Sequence, residues 1–257
     1  MIIDEWDRPS QHGRESHQTA GASRSLGSGK NLDCWRNVVN SITPTVHRAP
    51  TSPNCAALAG SEITAGALSW WCRAMLAYPQ TQARVQEELD VLVGRGRLPS
   101  FADRPHLPYT HAMVKEVLRW RLLLPFGIPH LVTADDWYEG IFIPKGTICF
   151  LNIWQCNHQV EVYGSDADEF IPARFLDEHG QLASGPSDAK EDGHRTYGYG
   201  RRSCVGKYLA NDSLFIDIAT MLWAMKFEPQ KDASGKEIPV NLDMVGDGLI
   251  MYVHLTV

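Results

Sequence analysis

The sequence predicts a mainly α (α+β) fold, in which long helices are combined with small β-sheets and one long irregular segment. Three observations predict it. Apolar residues recur at helical spacing in segments 56–78, 79–94 and 109–122. Short β-branched or aromatic runs follow within 130–152. One more helical pattern covers 205–225, so helices dominate the predicted fold.

Residues 1–54 differ in composition from the rest of the chain. They are rich in Ser, Gly, His, Arg and Thr, and prolines interrupt any regular pattern. Their few apolar residues cannot offset the entropy cost of ordering the segment. We therefore expect a disordered, low-complexity leader over 1–54, with one short helix near 32–40, and a globular region over 55–257.

Proline and glycine delimit the first three helices of the globular region. The Ala- and Leu-rich helix over 56–78 ends before Pro79, because the residue before a proline avoids helical geometry. Pro79 then begins an amphipathic helix that ends at Gly94. A loop rich in Pro and Gly covers 95–108 and leads into the third helix, over about 109–122.

Strand-like runs and a long irregular segment follow the third helix. The predicted strands are separated by Asp-Asp and Pro-Lys-Gly turns and cover 130–133, 138–143 and 147–151. Residues 166–200 show little regular period and many turn formers, and we call this segment the meander. Compact domains rarely contain so long a loop without a functional reason. After the helix over 205–225, strands are expected again from residue 238 onward.

Composition and charge exclude several classes of protein. The 257 residues carry 24 Lys and Arg against 30 Asp and Glu, a formal net charge of −6. A nucleic-acid-binding protein would carry a Lys- and Arg-rich surface, so no nucleic-acid partner is expected. The six cysteines include no Cys-x-x-Cys pair, which indicates neither a disulfide framework nor a zinc site, and a reducing compartment is the default expectation.

One segment is long enough to be considered as a membrane span. Residues 56–78 contain Glu62 and Arg73, whose charges are costly in lipid, and Trp70 and Trp71 near the middle instead of at an interface. The segment is therefore predicted to be a buried helix, and we expect no transmembrane anchor in this chain.

The segment 197–206 has the residues of a ligand-binding loop. It reads Tyr-Gly-Tyr-Gly-Arg-Arg-Ser-Cys-Val-Gly and precedes the last long helix, whose N-terminal N–H groups would stabilise a thiolate at Cys204. Gly200 and Gly206 allow the backbone to approach a flat ligand closely. The guanidinium of Arg202 can bind a carboxylate through two charge-assisted hydrogen bonds. A buried structural cysteine and a cysteine-based redox or metal protein are the alternatives.

This segment resembles the haem-binding loop of the cytochrome P450 haem-thiolate monooxygenases, whose pattern is F-x-x-G-x-R-x-C-x-G. Gly200, Arg202, Cys204 and Gly206 match it, and Tyr197 takes the place of the phenylalanine. The resemblance is to the fungal microsomal type and covers the C-terminal half of a family member.

The resemblance implies a cofactor and the residues that bind it. The cofactor is heme b (iron protoporphyrin IX), and Cys204 is implied as the axial ligand of its iron. Arg202 and His130 are implied as propionate-binding residues. His130 lies just before a strand, at a position where the family often has a propionate-binding Arg or His. A histidine that serves only the local hydrogen bonding is the alternative for His130.

Two further segments match the family in order and spacing. Glu116 and Arg119 form a Glu-x-x-Arg pair on one face of the third helix. Residues 170–175 resemble the family's P-E-R-F segment, with Ala173 in place of the acid. The resemblance implies that Arg174 joins Glu116 and Arg119 in a buried structural triad that fixes the meander. Taken alone, the pair could equally be a surface salt bridge.

The first globular helix is similar to the family's oxygen-binding helix, whose pattern is A-G-x-[D/E]-T. Glu62 matches the acid, but Ile63 occupies the threonine position and Thr64 follows it. Consecutive helical residues are about 100° apart, so Thr64 does not point where Ile63 points. Glu62 and Thr64 are the candidate catalytic residues for proton delivery. The alternatives are an Ala- and Gly-rich packing helix and, for Glu62, a surface carboxylate.

The function implied is that of a haem-thiolate monooxygenase, or a fragment of one, which inserts one oxygen atom from O2 into an apolar small molecule, with secondary metabolism as the expected setting. Electrons would come from NADPH through a cytochrome P450 reductase that docks near Arg201, Arg202 and Lys207. The alternative is a truncated, catalytically inactive haem-binding scaffold. The family typically occupies the endoplasmic reticulum membrane; without an anchor in this chain, a cytoplasmic or peripheral location is expected.

Overall fold

The computed structural model describes residues 53–183, 192–243, 245–246 and 251–252, with side chains described for 63–183 and 192–243. The predicted leader therefore lies outside the described residues, apart from Pro53 and Asn54, which begin the first helix.

Helices are the dominant regular structure of the described residues, which confirms the predicted mainly α fold. Among these residues, 3-10 turns lie at Phe101–His106, Pro172–Phe175 and Gly200–Arg202. The α-helices are α1 Pro53–Ala77, α2 Pro79–Leu92, α3 Pro108–Trp120, α4 Ile153–Asn157, α5 Val160–Tyr163 and α6 Lys207–Ala224.

The strands are short and pair as three separate antiparallel two-stranded sheets within the described residues, β1 with β4, β2 with β3 and β5 with β6. They are β1 His130–Leu131, β2 Asp136–Tyr138, β3 Ile141–Ile143, β4 Ile148–Cys149, β5 Val245–Gly246 and β6 Met251–Tyr252.

Local chemistry explains where α2 and α3 begin and end. Both begin with a proline, whose missing N–H group would have no helical partner at that position. Gly94 has a φ of +71° and donates its N–H to Leu89 O, which closes the end of α2. The carboxylate of Glu88 on α2 accepts the N–H groups of Tyr109 and Thr110 and so caps the first turn of α3.

The structure corrects two expectations between α3 and the meander. The run 138–143 is not one strand, because Glu139 and Gly140 have positive φ angles of 46° and 83° and form the turn between β2 and β3. The short helices α4 and α5 lie in a region for which the sequence predicted no helix, since neither is long enough to show a helical period.

Helices α1, α2, α3 and α6 enclose one apolar core, in which Trp70 and Trp120 meet edge to face with ring centroids 6.2 Å apart. Trp120 also contacts the ring of Phe170 at 5.3 Å, so the core extends into the meander. Within the part of the chain that the structure describes, no helix has both the length and the hydropathy needed to cross a bilayer.

The position of Phe215 on α6 gives a test of this packing. Its side chain is fully buried in the core. Phe215→Ala should lower the free energy of unfolding by about 3–5 kcal/mol, because it removes buried apolar surface and leaves a cavity. Urea denaturation followed by circular dichroism measures the change. Val91→Ala on the exposed face of α2 is the control and should change the free energy by no more than about 0.5 kcal/mol. Equal effects would contradict the packing of α6.

Candidate functional site

Cys204 lies in a tight loop directly before α6. Its N–H donates to Tyr197 O at 2.9 Å, which closes the loop over residues 197–204. Gly198 and Gly200 have φ angles of 72° and 55°, a region that residues with a Cβ rarely adopt, so the turn requires glycine there. The side chain of Cys204 is exposed. The sequence analysis placed this cysteine at a helix start, and the structure places it three residues before Lys207, the first residue of α6.

Exposed apolar side chains follow Cys204 along the chain. Val205 is 91% exposed, and Tyr208 and Leu209 in the first turn of α6 are also largely exposed. Large apolar side chains in such a position are typical of a surface that binds a partner or an apolar ligand.

His130 and Arg202 lie close enough for the charge of Arg202 to act on the imidazole of His130. His130 begins β1 and is half-buried, and burial lowers the pKa of its imidazole. The positive charge of Arg202 lowers the pKa of His130 further, so the two groups are neighbours in space although 72 residues apart in sequence. Neither side chain forms an ion pair within the described residues. Two hydrogen-bond donors of this kind suit a carboxylate.

A second group of charged residues lies in the interior. Glu116 and Arg119 on α3 are fully buried and paired through two hydrogen bonds, Arg119 Nε to Glu116 Oε2 at 2.6 Å and Arg119 Nη2 to Glu116 Oε1 at 2.8 Å. Arg174 donates from Nε to the same Oε1 at 3.1 Å, and the N–H of Ile171 donates to it at 2.8 Å. The structure thus brings together all three residues of the expected triad.

The two arginines of this group also bind the irregular backbone after α4. Arg119 Nη1 donates to Asn157 O at 2.9 Å and to Ala167 O at 2.7 Å. Arg174 Nη1 donates to Tyr163 O at 2.7 Å. These carbonyls have no partner in a helix or sheet ladder, so the guanidinium groups supply the hydrogen bonds that regular structure would otherwise give.

Asn157 and Thr196 connect this group with the cysteine loop, and the sequence analysis missed their role. Asn157 Oδ1 accepts the N–H of Arg195 at 2.7 Å, and Asn157 Nδ2 donates to Thr196 Oγ1 at 3.0 Å. Thr196 Oγ1 donates in turn to Leu118 O on α3 at 2.6 Å. Neither residue belongs to a recognisable pattern; the only signal was the position of Thr196 directly before the loop.

The sequence model of the cytochrome P450 family matches residues 56–246. The chain belongs to the cytochrome P450 family. A cytochrome P450 monooxygenase of Armillaria gallica is 58% identical over 193 residues, which cover 75% of this chain and 37% of that protein. Cytochrome P450 monooxygenase 58 of Postia placenta is 49% identical over 193 residues, 75% of this chain and 36% of that protein.

A third P450 relative, cytochrome P450 monooxygenase iboC of Amanita muscaria, is 39% identical over 240 residues, 76% of this chain and 43% of that protein. The chain spans about two fifths of the length of the curated relatives it matches.

The P450 family implies a haem cofactor, and the cysteine loop fits one. A haem of this family needs one thiolate from the protein, and the exposed Cys204 would provide it. His130 and Arg202 would supply hydrogen-bond donors for the propionates. Within the described residues, no cluster of three or more His, Cys, Asp or Glu side chains could hold a metal ion.

The candidate catalytic residues of this P450 chain lie on a different element. Glu62 and Thr64 belong to α1, and the side chain of Glu62 lies outside the described residues. Thr64 is half-buried. Ile63, at the position of the family's threonine, packs against the apolar core and places no hydroxyl on the helix there.

One buried histidine lies behind the loop. Burial, together with the positive charges of four neighbours, lowers the pKa of His194 from 6.5 to about 3. Its Nδ1 accepts the N–H of Thr196 at 3.3 Å, a bond that requires an unprotonated nitrogen. Those neighbours are Lys115, Arg119, Arg195 and Lys207.

Removal of the buried carboxylate should destabilise the fold strongly. Glu116→Ala leaves two buried guanidinium groups without their anion, so we expect a loss of about 3–5 kcal/mol in the free energy of unfolding. Glu228→Ala removes an exposed ion pair with Lys226 and is the control, with an expected loss below about 1 kcal/mol. Urea denaturation of both variants gives the comparison; a small effect at position 116 would show that the pair contributes no more than a surface one.

The buried histidine predicts a pH dependence of stability. Below pH 6.5 the unfolded chain binds a proton at His194 that the folded chain does not bind, so stability falls as the pH falls towards 3. The slope from this residue is about 1.4 kcal/mol per pH unit. His194→Asn should reduce the slope of unfolding free energy against pH by that amount in this window, whereas His179→Asn, at an exposed site, should leave it unchanged. Identical slopes in all three proteins would contradict the assignment.

Proposed function

We propose that the chain forms the haem-binding part of a fungal-type cytochrome P450 monooxygenase, which inserts one oxygen atom from O2 into an apolar small molecule. The single observation that carries the proposal is the exposed Cys204 thiol in a glycine-dependent loop beside the two donors His130 and Arg202. The haem, when bound, supplies the activation of dioxygen.

The residues of the chain would bind and orient that cofactor. Cys204 would provide the thiolate ligand, and its N–H bond to Tyr197 O fixes the direction in which the side chain leaves the loop. Arg202 and His130 would bind the propionates. Gly200 and Gly206 would keep the backbone close to the cofactor, because neither has a side chain. Glu62 and Thr64 on α1 would deliver protons.

Electron supply is part of the proposal. We infer that an NADPH-dependent cytochrome P450 reductase docks beside the cysteine loop, where Arg201 and Arg202 are exposed. Lys207 is a weaker candidate contact than expected, because its ammonium pairs with Asp192 at 3.1 Å. A role in fungal secondary metabolism is supported by relatives such as the monooxygenases named iboC, yanC and macC.

A catalytically inactive haem-binding scaffold is the second candidate. Ile63 favours it, because an isoleucine that packs in the core cannot donate a proton. Both candidates require haem binding, and they differ in turnover. The scaffold would bind haem but form no product when reductase and NADPH are added. This holds for the 257-residue chain and for any longer chain that contains it.

The carbon monoxide difference spectrum of the reduced, haem-loaded protein tests both candidates. We expect a thiolate-type Soret band for the wild-type chain. Cys204→Ser should abolish this band, and Cys149→Ser, at a half-buried cysteine in β4, should retain it. The same spectrum in Cys204→Ser and wild type, or no haem absorbance after reconstitution of the wild type, would contradict the proposal.

A further inference from the structure

Tyr197 holds the cysteine loop at two points. Its carbonyl oxygen accepts the N–H of Cys204 at 2.9 Å, and its phenol hydroxyl donates to Asn211 Oδ1 at 2.8 Å. Asn211 lies in the second turn of α6. One side chain therefore joins the start of the loop to the helix that follows it. The family pattern has phenylalanine at this position, which has an aromatic ring but no hydroxyl to make the second bond.

The bond between the Tyr197 hydroxyl and Asn211 lies in a partly buried place. Hydrogen bonds in such a place are stronger than in water.

The bond restrains a part of the loop that Tyr199, packed against the buried cluster around Leu151, does not itself fix. Gly198 and Gly200 lie within it and Gly206 follows it, and glycine loses more conformational entropy on ordering than any other residue. Cys204 and Val205 are exposed, so packing restrains neither. On its other side the loop is anchored by Thr196, through its bonds to Asn157 and Leu118.

We propose that Tyr197 and Asn211 form a positioning pair, in which the phenol–amide hydrogen bond clamps the cysteine loop onto α6 and fixes the direction of the Cys204 side chain. The expected consequence of the clamp is that the haem iron retains its thiolate ligand, and this consequence rests on the proposed function. The hydrogen bond itself is present in the haem-free chain and does not depend on that function. Tyr197 acts through Cys204 and is not a catalytic residue.

The first measurement is amide hydrogen exchange at Cys204 in the haem-free chain. Tyr197→Phe and Asn211→Leu each remove one partner, and Asn211→Asp keeps an acceptor oxygen at the same place. Because a hydrogen bond of this kind contributes a factor of about 2 to 12 to an equilibrium, exchange at Cys204 should quicken by that factor in the first two variants. Asn211→Asp should restore protection. Tyr138→Phe, which removes a phenol hydroxyl in β2 away from the loop and α6, is the control.

The second measurement follows the thiolate-type Soret band of the reduced carbon monoxide complex over time. Tyr197→Phe and Asn211→Leu should lose the band faster than wild type by the same factor, and Asn211→Asp and Tyr138→Phe should not. A role confined to overall stability would change the unfolding midpoint without this selective effect on the band.

The outcomes separate this inference from the proposed function. Exchange at Cys204 that is unchanged in both Tyr197→Phe and Asn211→Leu overturns the clamp, whatever happens to the haem. A wild-type chain without a thiolate band overturns the proposed function, and the clamp is then decided by the exchange data. If Tyr197→Phe fails to fold, the pair Asn211→Leu and Asn211→Asp decides alone.

Discussion

A single buried carboxylate holds this structure together. Glu116 has no solvent exposure, and its two oxygens accept hydrogen bonds from Arg119, Arg174 and the N–H of Ile171. A carboxylate in such a place is stable only with cations and donors around it, and the cations likewise need the carboxylate. Over residues 166–183 and 192–200, the parts of the meander that the structure describes, Leu176 and Leu182 form an isolated antiparallel bridge. The guanidinium groups that Glu116 orients satisfy carbonyls of this irregular backbone, such as Ala167 O.

The influence of Glu116 reaches Cys204 through a continuous series of polar contacts. Arg119 binds the carbonyl of Asn157, Asn157 binds Thr196, and Thr196 precedes the loop that Tyr197 and Cys204 close. The reactive sulfur is therefore exposed and surrounded by glycine, yet its loop is anchored in the core of the protein. An exposed sulfur on an anchored loop suits a site that must admit a large planar cofactor and still present one atom to it in a fixed direction.

The positions of the long helices were predictable from the sequence, because they depend on hydrophobic periodicity. The hydrogen bonds to irregular backbone were not predictable from it. The helical patterns located α1, α2, α3 and α6 to within a few residues, because each is long enough to show its period. The motifs named Glu116, Arg119 and Arg174, and the structure joins them. The carbonyls that the arginines bind, and the roles of Asn157 and Thr196, follow from no pattern, since their partners are 38 to 78 residues away. The β2–β3 turn was missed because Glu139 is not a residue that usually adopts a positive φ.

The most direct test of this account is a double-mutant cycle between the two ends of the polar series, Glu116→Gln and Thr196→Val, with the free energy of unfolding measured by urea denaturation. The two side chains share no described hydrogen bond with each other. Arg119 and Asn157 connect them, and Thr196 also donates to Leu118 O on the helix that carries Glu116. If the series acts as one network, the losses should be non-additive by at least about 0.5 kcal/mol. Losses that add to within about 0.3 kcal/mol would show that the buried carboxylate and the cysteine loop are stabilised independently.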